Sequence, residues 1–256
     1  MSLHKLCVTW LAVLAGAVLV PVAGAQTPLR IFIRASEKTH GGANGNHDYP
    51  AFLENWTKLL TEHGAAAAGA QRFPTAEELA KTDVLIDYSS DGANFSPADK
   101  ALLDTFLQRG GGFVVIHDGM CGAEPDWFAS VAGGSKQHGV RNSRAGVMRL
   151  HFDDPASPIV NGAADFDFDD EMFYLLTTNP AMHVLASTTD PTGKVVPQLW
   201  TFEKTLPGGK PYRAFVTLQG HKSASFENPV FQALLLRGIA WAGKRPVDAL
   251  LTTGKR

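Results

Sequence analysis

Cysteine is scarce in this sequence: among 256 residues only Cys7 and Cys121 are cysteines. Cys7 lies in an apolar N-terminal stretch that resembles a cleavable signal, which leaves Cys121 alone in the rest of the chain. A single cysteine cannot form an intramolecular disulfide, so the fold must be stable without one. The Cys121 thiol is a candidate nucleophile, although a small buried filler is the commoner fate of a free cysteine.

Strong net charge is missing as well. The chain has 23 Lys and Arg against 25 Asp and Glu, a net charge of −2. Loss of residues 1–25, which contain Lys5 and no acidic residue, gives 22 against 25, or −3. The sequence has no basic cluster with interleaved aromatics and no long run of like charge. It therefore gives no reason to expect a nucleic-acid partner or binding to an anionic membrane.

Long apolar runs are limited to the N-terminus. Lys5, the apolar run of residues 11–20 and Ala23-Gly24-Ala25 follow the pattern of a signal peptide with its cleavage site. The run is shorter than the roughly 20 residues of a transmembrane helix, and no later stretch is long enough, although an uncleaved anchor stays open. We expect a signal peptide at 1–25, one domain at 26–256, no membrane span after cleavage, and a periplasmic or secreted protein.

Predicted strands at residues 30–34, 84–88 and 113–116 alternate with helical stretches. Such alternation predicts an α/β fold with a single doubly wound, mostly parallel sheet and helices on both faces. After Gly134 the pattern changes, and residues 195–203 and 213–218 look like antiparallel strands joined by a turn. We therefore expect antiparallel additions in the C-terminal half.

Local signals mark where several helices begin. Ser96-Pro97 and Asn228-Pro229 each place a capping side chain directly before a proline at the first helical position. Thr75 and Glu78 have the spacing of a capping box. These signals predict three helix N-termini.

The strongest hint of chemistry lies in residues 110–122. A short apolar strand ends at Ile116, and His117 and Asp118 follow directly, with Gly119 allowing a sharp turn. In an open parallel sheet, ligands bind at the carboxyl ends of the strands. His117 and Asp118 therefore form a candidate reactive site. The alternative is that His117 is a loop histidine that only caps the strand.

Other polar groups follow other strands. If the first, third and fourth strands are neighbours, their loops form one cleft, to which Glu171 would be added from the second half of the chain. We therefore predict that His117, His221 and Glu171 share one pocket. The groups that follow strand ends are His40, His47, Ser90, Asp91, His117, Asp118, Gln219 and His221.

Histidines and carboxylates in one pocket support two interpretations. Imidazole titrates near neutral pH, so a histidine oriented by Asp or Glu can take and return a proton. The same residue types also suit zinc or another divalent ion, although no His-x-His or His-x-x-x-His spacing occurs. His63, His151 and His183 are expected at the surface or in strand packing.

Several stretches together carry a family resemblance. In order and spacing, over roughly residues 30–243, they are similar to the ThuA-like (trehalose-utilisation) family. The stretches are Thr39-His40-Gly41-Gly42, Asn46-His47-Asp48, residues 110–117 and 127–134, Asp169-Asp170-Glu171-Met172-Phe173-Tyr174, Leu218-Gln219-Gly220-His221, Pro229-Val230-Phe231 and Arg237-Gly238-Ile239-Ala240-Trp241-Ala242.

The resemblance implies a flavodoxin-like fold related to the class I glutamine amidotransferases. It also implies a part in carbohydrate utilisation. In the amidotransferases a cysteine nucleophile stands where His117 stands here, and imidazole cannot replace it, so that activity is not expected. The sequence departs from the common family pattern at Asp118, where many members have a small residue, and at His138, which follows Gln137 where the family usually has Gly.

These observations lead to one expectation about function. An exported protein acts on a sugar or keto-sugar derivative by His and carboxylate acid-base chemistry, and a non-catalytic periplasmic carbohydrate-binding protein is the alternative. No cofactor is firmly implied, while a divalent metal and a homo-oligomer stay open. The expected catalytic residues are His117, Asp118, Glu171 and His221, and the expected substrate-binding residues are His40, His47, Asp91, Trp127, His138, Tyr174 and Gln219.

Overall fold

The computed structural model describes residues 27–38 and 46–252. The predicted signal peptide and His40 lie outside these described residues. Within them, no helix has the length and apolar character needed to cross a membrane.

Twelve strands and five α-helices make up the described chain. The strands are β1 (Arg30–Ala35), β2 (Ala66–Ala70), β3 (Val84–Tyr88), β4 (Gly112–Ile116), β5 (Cys121–Gly122), β6 (Gly134–Gln137), β7 (Ser143–Phe152), β8 (Phe166–Phe173), β9 (Thr177–Thr178), β10 (His183–Thr189), β11 (Val195–Thr205) and β12 (Pro211–Thr217). The helices are α1 (Tyr49–Glu62), α2 (Ala76–Ala80), α3 (Pro97–Gln108), α4 (Pro125–Ala132) and α5 (Pro229–Ala242).

The predicted helix starts are confirmed. The Ser96 hydroxyl accepts the amide of Asp99 at 3.1 Å to begin α3, and Asn228 accepts two amides at the start of α5. Thr75 and Glu78 form both hydrogen bonds of a capping box at α2. Each cap satisfies donors that the first helical turn leaves without partners, which is why these ends can be recognised from sequence.

Nine strands form one mixed sheet in the order β2-β1-β3-β4-β12-β11-β10-β7-β8. The first five are mutually parallel, with the strand order of flavodoxin-like folds. The remaining pairings are antiparallel. The expectation of a mostly parallel, doubly wound sheet therefore holds only for the first half. Between β7 and β12 the chain has no crossover helix, and neighbouring strands that are joined without one pair in antiparallel fashion.

Helices cover both faces of the parallel half, as expected. Val114 and Ile116 of β4 belong to the apolar cluster that contains α1 and α5. Phe113 and Val115 point the other way, into a second cluster with α2, α3 and α4. All four side chains are fully buried. Burial on both faces makes β4 a rigid element, so the residue that follows it is held in a fixed position.

The β7–β8 hairpin brings the second half of the chain to the end of β4. Four strands separate β4 from β8 in the sheet order, yet Glu171 of β8 lies 3.4 Å from His117. β7 pairs with β10 only through Phe152 and His151, whereas its pairing with β8 runs from Ser143 to Leu150. The hairpin thus extends past the sheet edge and folds back over the carboxyl ends of the parallel strands.

Candidate functional site

His117 occupies a strained position directly after β4. Its backbone φ is 49°, in the left-handed region that a non-glycine residue rarely adopts. The imidazole is fully buried, stacks on Phe173 with ring centroids 4.6 Å apart, and its Nδ1 donates to the carbonyl oxygen of Leu218 at 2.8 Å. This hydrogen bond fixes the orientation of the ring, and so the position of Nε2. Backbone strain of this kind concentrates at functional sites.

Two more histidines and a carboxylate converge on Nε2 of His117. Nε2 of His47 lies 3.0 Å from it, and Oε2 of Glu171 lies 3.4 Å from it. Nδ1 of His221 is 2.9 Å from His47 Nε2 and 3.2 Å from Glu171 Oε2. These four residues are called the His/Glu cluster below. The predicted proximity of His117, His221 and Glu171 is confirmed.

A buried carboxylate that the sequence analysis missed positions one side of the cluster. Asp170 is fully buried and accepts the main-chain amides of Gly220 and His221, each at 3.0 Å, and that of Glu171 at 2.6 Å. It also accepts the Ser225 hydroxyl. Asp170 therefore fixes the loop that carries His221. We infer that Asp170 acts by positioning.

The strand pattern contains a signal for this role. Phe168, Asp170 and Met172 alternate along β8 and are all buried, whereas Asp169 between them is exposed. Alternate residues of a strand point to one face. A carboxylate at an apolar-facing position must find buried donors. Asp170 could therefore have been singled out from the sequence beside Glu171.

The loop before α1 holds the other side of the cluster. The amide of His47 donates to the carbonyl of His221 at 2.9 Å, and the backbone φ of His47 is 48°. The ring of His47 is parallel to that of Tyr49 at 5.8 Å, and the Tyr49 hydroxyl donates to Asp118 Oδ2 at 3.0 Å. The same Asp118 oxygen lies 3.5 Å from His47 Nε2. Asp118 thus borders the cluster without being one of its four members.

The electrostatics of the cluster favour positive charge at its centre. Burial alone lowers the pKa of His117, but Asp118 and Glu171 outweigh it and raise that pKa to about 9. Burial opposes ionisation of Glu171, yet hydrogen bonds to His117 and His221 hold its pKa well below the usual range. Asp118 is likewise held below its ordinary pKa, against burial, by the neighbouring histidines. The carboxylates are therefore ionised at neutral pH.

The other expected substrate-binding residues lie in different surroundings. Nδ1 of His138 contacts Oδ1 of Asp91, and the two side chains are 52% and 35% exposed. They border the site, because Gly92 donates its amide to the carbonyl of Asp118 at 3.0 Å.

Aromatic and amide candidates are placed in packing roles. Gln219 is buried and hydrogen-bonds with Thr217 and Gln198. Trp127 packs with the second apolar cluster beneath the ammonium of Lys100, at 4.2 Å from the ring centroid. Tyr174 packs against the first apolar cluster. In the described contacts, none of these three joins the His/Glu cluster.

Comparison with known families and structures gives this arrangement a context. The family model ThuA, described as trehalose utilisation, matches residues 38–242. The chain belongs to the ThuA family. The match begins after β1 and runs to the end of α5, and it includes every member of the His/Glu cluster. No curated protein matches the chain.

Solved structures share the ThuA fold at low identity. A ThuA-like protein from Bacteroides uniformis is 19% identical with a TM-score of 0.62, covering 86% of this chain and 93% of that chain. One from Parabacteroides merdae is 16% identical with a TM-score of 0.62, covering 90% and 92%. A β-galactosidase from Rahnella sp. R3 is 14% identical with a TM-score of 0.53, covering 88% of this chain but 33% of that one. At these identities the likeness shows the fold alone.

In this ThuA family member, Cys121 is poorly suited to nucleophilic catalysis. The thiol is fully buried, and burial together with Asp118 raises its pKa well above the ordinary value. It donates to Asp118 Oδ1 at 3.4 Å. A thiol becomes nucleophilic as the thiolate, which this environment disfavours. Cys121 therefore acts as packing and as a weak donor to Asp118.

Among the residues that the structure describes, the His/Glu cluster is also the group that could hold a metal ion. One ligand atom from each of His47, His117, Glu171 and His221 lies within 4.8 Å of the other three. The first two are buried and the last two are partly exposed. The site can therefore do proton transfer, metal binding or both.

Proposed function

We propose that this protein acts on a sugar or keto-sugar derivative, and that the reaction takes place at the His/Glu cluster. The observation that carries the proposal is the contact of one carboxylate oxygen, Glu171 Oε2, with two imidazoles, at 3.4 Å from His117 and 3.2 Å from His221. Membership of the trehalose-utilisation family supports a carbohydrate substrate.

The chemistry follows from the unequal exposure of the histidines. His117 is fully buried, while the His221 side chain is 17% exposed and so is the imidazole that a substrate can reach. A carbon-bound proton next to a sugar carbonyl is acidic enough for a histidine or carboxylate base. Glu171 orients His221. His117 and Asp118 lie on the buried side of the site, where their opposite charges balance each other. General acid-base catalysis of this kind contributes about 10²–10⁴-fold in rate.

The substrate contacts are proposed on the exposed side of the site. The partly exposed Asp91 and His138 pair lies beside Asp118 and offers hydrogen-bonding groups to sugar hydroxyls. His47 lies inside the cluster and would touch the reacting end. Gln219 is 1% exposed, so its part is to support the Leu218 segment.

Export belongs to the proposal as well. The N-terminal pattern of a basic residue, an apolar run and Ala23-Gly24-Ala25 supports secretion to the periplasm or beyond. Expression of the full chain in a Gram-negative host, followed by N-terminal sequencing of the periplasmic fraction, is expected to give a mature protein that begins after Ala25. Retention of Met1 in the cytoplasmic fraction would contradict export.

The function is tested by incubating the purified protein with a panel of disaccharides, their 3-keto derivatives and keto-monosaccharides, and following products by mass spectrometry. Glu171→Gln and His221→Asn are expected to lower turnover by about 10²–10⁴-fold. Asp165→Asn, which removes the carboxylate partner of the exposed His151, is the matched control and should leave turnover unchanged.

The test also separates catalysis from binding. A non-catalytic carbohydrate-binding protein would bind one of the sugars without changing it, and Glu171→Gln would weaken that binding only by the loss of a hydrogen bond. Binding without product formation across the panel would therefore contradict the enzymatic proposal.

A further inference from the structure

We propose that His47, His117, His221 and Glu171 bind one divalent transition-metal ion of the zinc type. The inference concerns the site of the proposed function and adds a cofactor to it. It rests on the proposed function only for the role of the ion, because the binding itself is argued from geometry.

The spacing of the ligand atoms fits a bound ion. Zinc–nitrogen and zinc–oxygen bonds of about 2.0–2.1 Å, at tetrahedral angles, separate neighbouring ligand atoms by about 3.3 Å. Four of the six separations in the cluster are 2.9, 3.0, 3.2 and 3.4 Å. All six lie within 4.8 Å.

The orientation of the His117 ring also supports a bound metal ion. Its Nδ1 donates to the Leu218 carbonyl, so Nε2 faces the cluster, where an ion that displaces the Nε2 proton would meet the lone pair. A metal-binding histidine usually donates its second ring N–H to a carbonyl or carboxylate in this way, which fixes the tautomer. The strained backbone of His117 and His47 shows that the fold maintains this convergence at a cost in conformational energy.

The two contacts that His47 Nε2 makes with neighbouring imidazoles cannot both be good hydrogen bonds. Nε2 of His47 lies 3.0 Å from a nitrogen of His117 and 2.9 Å from one of His221. A single ring nitrogen carries either one proton or one lone pair, so it cannot make a good hydrogen bond to both. A cation at the centre accepts all three lone pairs at once.

The charge and the donor types narrow the choice of ion. Glu171 belongs to the cluster and Asp118 lies 3.5 Å from His47 Nε2, so two carboxylates face the centre and balance a divalent ion. Imidazole nitrogens suit zinc and its transition-metal neighbours, whereas magnesium and calcium prefer oxygen ligands. If a substrate oxygen joined these four residues as a fifth ligand, such an ion would polarise it, which is the role the proposed sugar chemistry would give it.

The ligands come from four separate elements: the loop before α1, the end of β4, β8 and the loop after β12. No pair is close in sequence, which explains why no short metal-binding motif exists. The convergence depends on the β7–β8 hairpin folding back over β4. A metal held in this way would tie the two halves of the sheet together.

The test uses Zn²⁺ alone, without sugar. Purified full-length protein is stripped with a chelator, dialysed against Zn²⁺, and assayed by elemental analysis and calorimetry. We expect one zinc per chain, no competition from Mg²⁺, and a visible absorption spectrum of nitrogen-ligated Co²⁺ after cobalt substitution. Glu171→Gln and His221→Asn should each weaken zinc binding by at least about 10–100-fold, the loss that even outer partners cause.

Matched controls separate the cluster from incidental surface sites. His151 and His183 are exposed histidines that pair with Asp165 and Asp154. His151→Asn and His183→Asn should leave one zinc bound. If a cluster variant does not fold, the cobalt spectrum of the unaltered protein still decides, because that spectrum reports nitrogen ligands to Co²⁺ without any substitution.

Each result has one meaning. Less than about one zinc per ten chains after dialysis, or unchanged binding in folded Glu171→Gln and His221→Asn, would overturn the metal proposal. Zinc binding at the cluster with every sugar left unchanged would contradict the proposed function alone. Turnover of a sugar by metal-free protein would contradict the catalytic role of the ion and leave its binding to be decided by the zinc measurements.

Discussion

Replacing Asp170 with Asn should destabilise the protein strongly, because Asp170 is fully buried. The Asp170 carboxylate accepts main-chain amides from Gly220, His221 and Glu171 and the hydroxyl of Ser225, all inside the fold. Asn keeps one oxygen and turns an NH₂ group towards the remaining donors. At least two donors therefore lose their acceptor.

The magnitude follows from those lost acceptors. Each buried donor without a partner costs about 1–3 kcal/mol, so two give a loss of about 2–6 kcal/mol in the free energy of unfolding. In a chain of this size, 1 kcal/mol lowers Tm by about 2–4 °C, so a fall of at least about 4 °C is expected. Urea denaturation followed by circular dichroism measures the free energy, and calorimetry measures Tm.

The adjacent Asp169 provides the control. Asp169 pairs with Lys222 at 2.6 Å, but its side chain is 58% exposed. Exposed ion pairs contribute about 0–1 kcal/mol, so Asp169→Asn should change stability by less than about 1 kcal/mol. Equal effects of the two substitutions, or a loss below about 1 kcal/mol for Asp170→Asn, would refute the positioning role of Asp170.

Three further predictions follow from single contacts. Because burial raises the pKa of Cys121, its thiol should react with a disulfide reagent at pH 8 only after unfolding, and rapid labelling of the native protein would contradict this. Tyr49→Phe removes the hydrogen bond to Asp118 and should cost about 1.5–3 kcal/mol in urea unfolding; a loss under about 0.5 kcal/mol would show that this bond is unimportant. The hydrogen bond and charge of Asp165 raise the pKa of His151 above 6.5, so the pair stabilises the fold below pH 6.5 and this contribution is lost as pH rises through the folded-state pKa. An NMR titration should show the raised pKa and its fall in Asp165→Asn, and an unchanged pKa would contradict the pairing.

Several features of this protein are readable from short stretches. The caps at α2, α3 and α5 and the buried strands β3 and β4 were predicted, because caps act within three residues and a run of apolar residues marks a buried strand. His117 was singled out since it directly follows such a strand. These are local properties, and local sequence carries them.

Other features required the folded chain. The sheet is half antiparallel, and the hairpin that carries Glu171 folds back towards β4, although four strands separate β4 from β8 in the sheet order. Asp91 contacts His138, and Gln219 turns into the interior, although Asp91 and Gln219 follow the same kind of strand-end pattern as His221. A strand end predicts where the backbone of a residue lies, whereas the direction of its side chain depends on the elements packed around it.

The sequence by itself determined the parallel half of the sheet, the helix starts and the reactive residue types at strand ends. Only the tertiary structure decided that His47, His117, Glu171 and His221 meet within 4.8 Å, and that Asp170 holds the loop of His221. The physical reason is the distance along the chain over which each interaction acts. Hydrogen bonds of caps and the periodicity of strands act between neighbours in the chain, while the His/Glu cluster joins four segments through packing and hairpin geometry that no short stretch encodes.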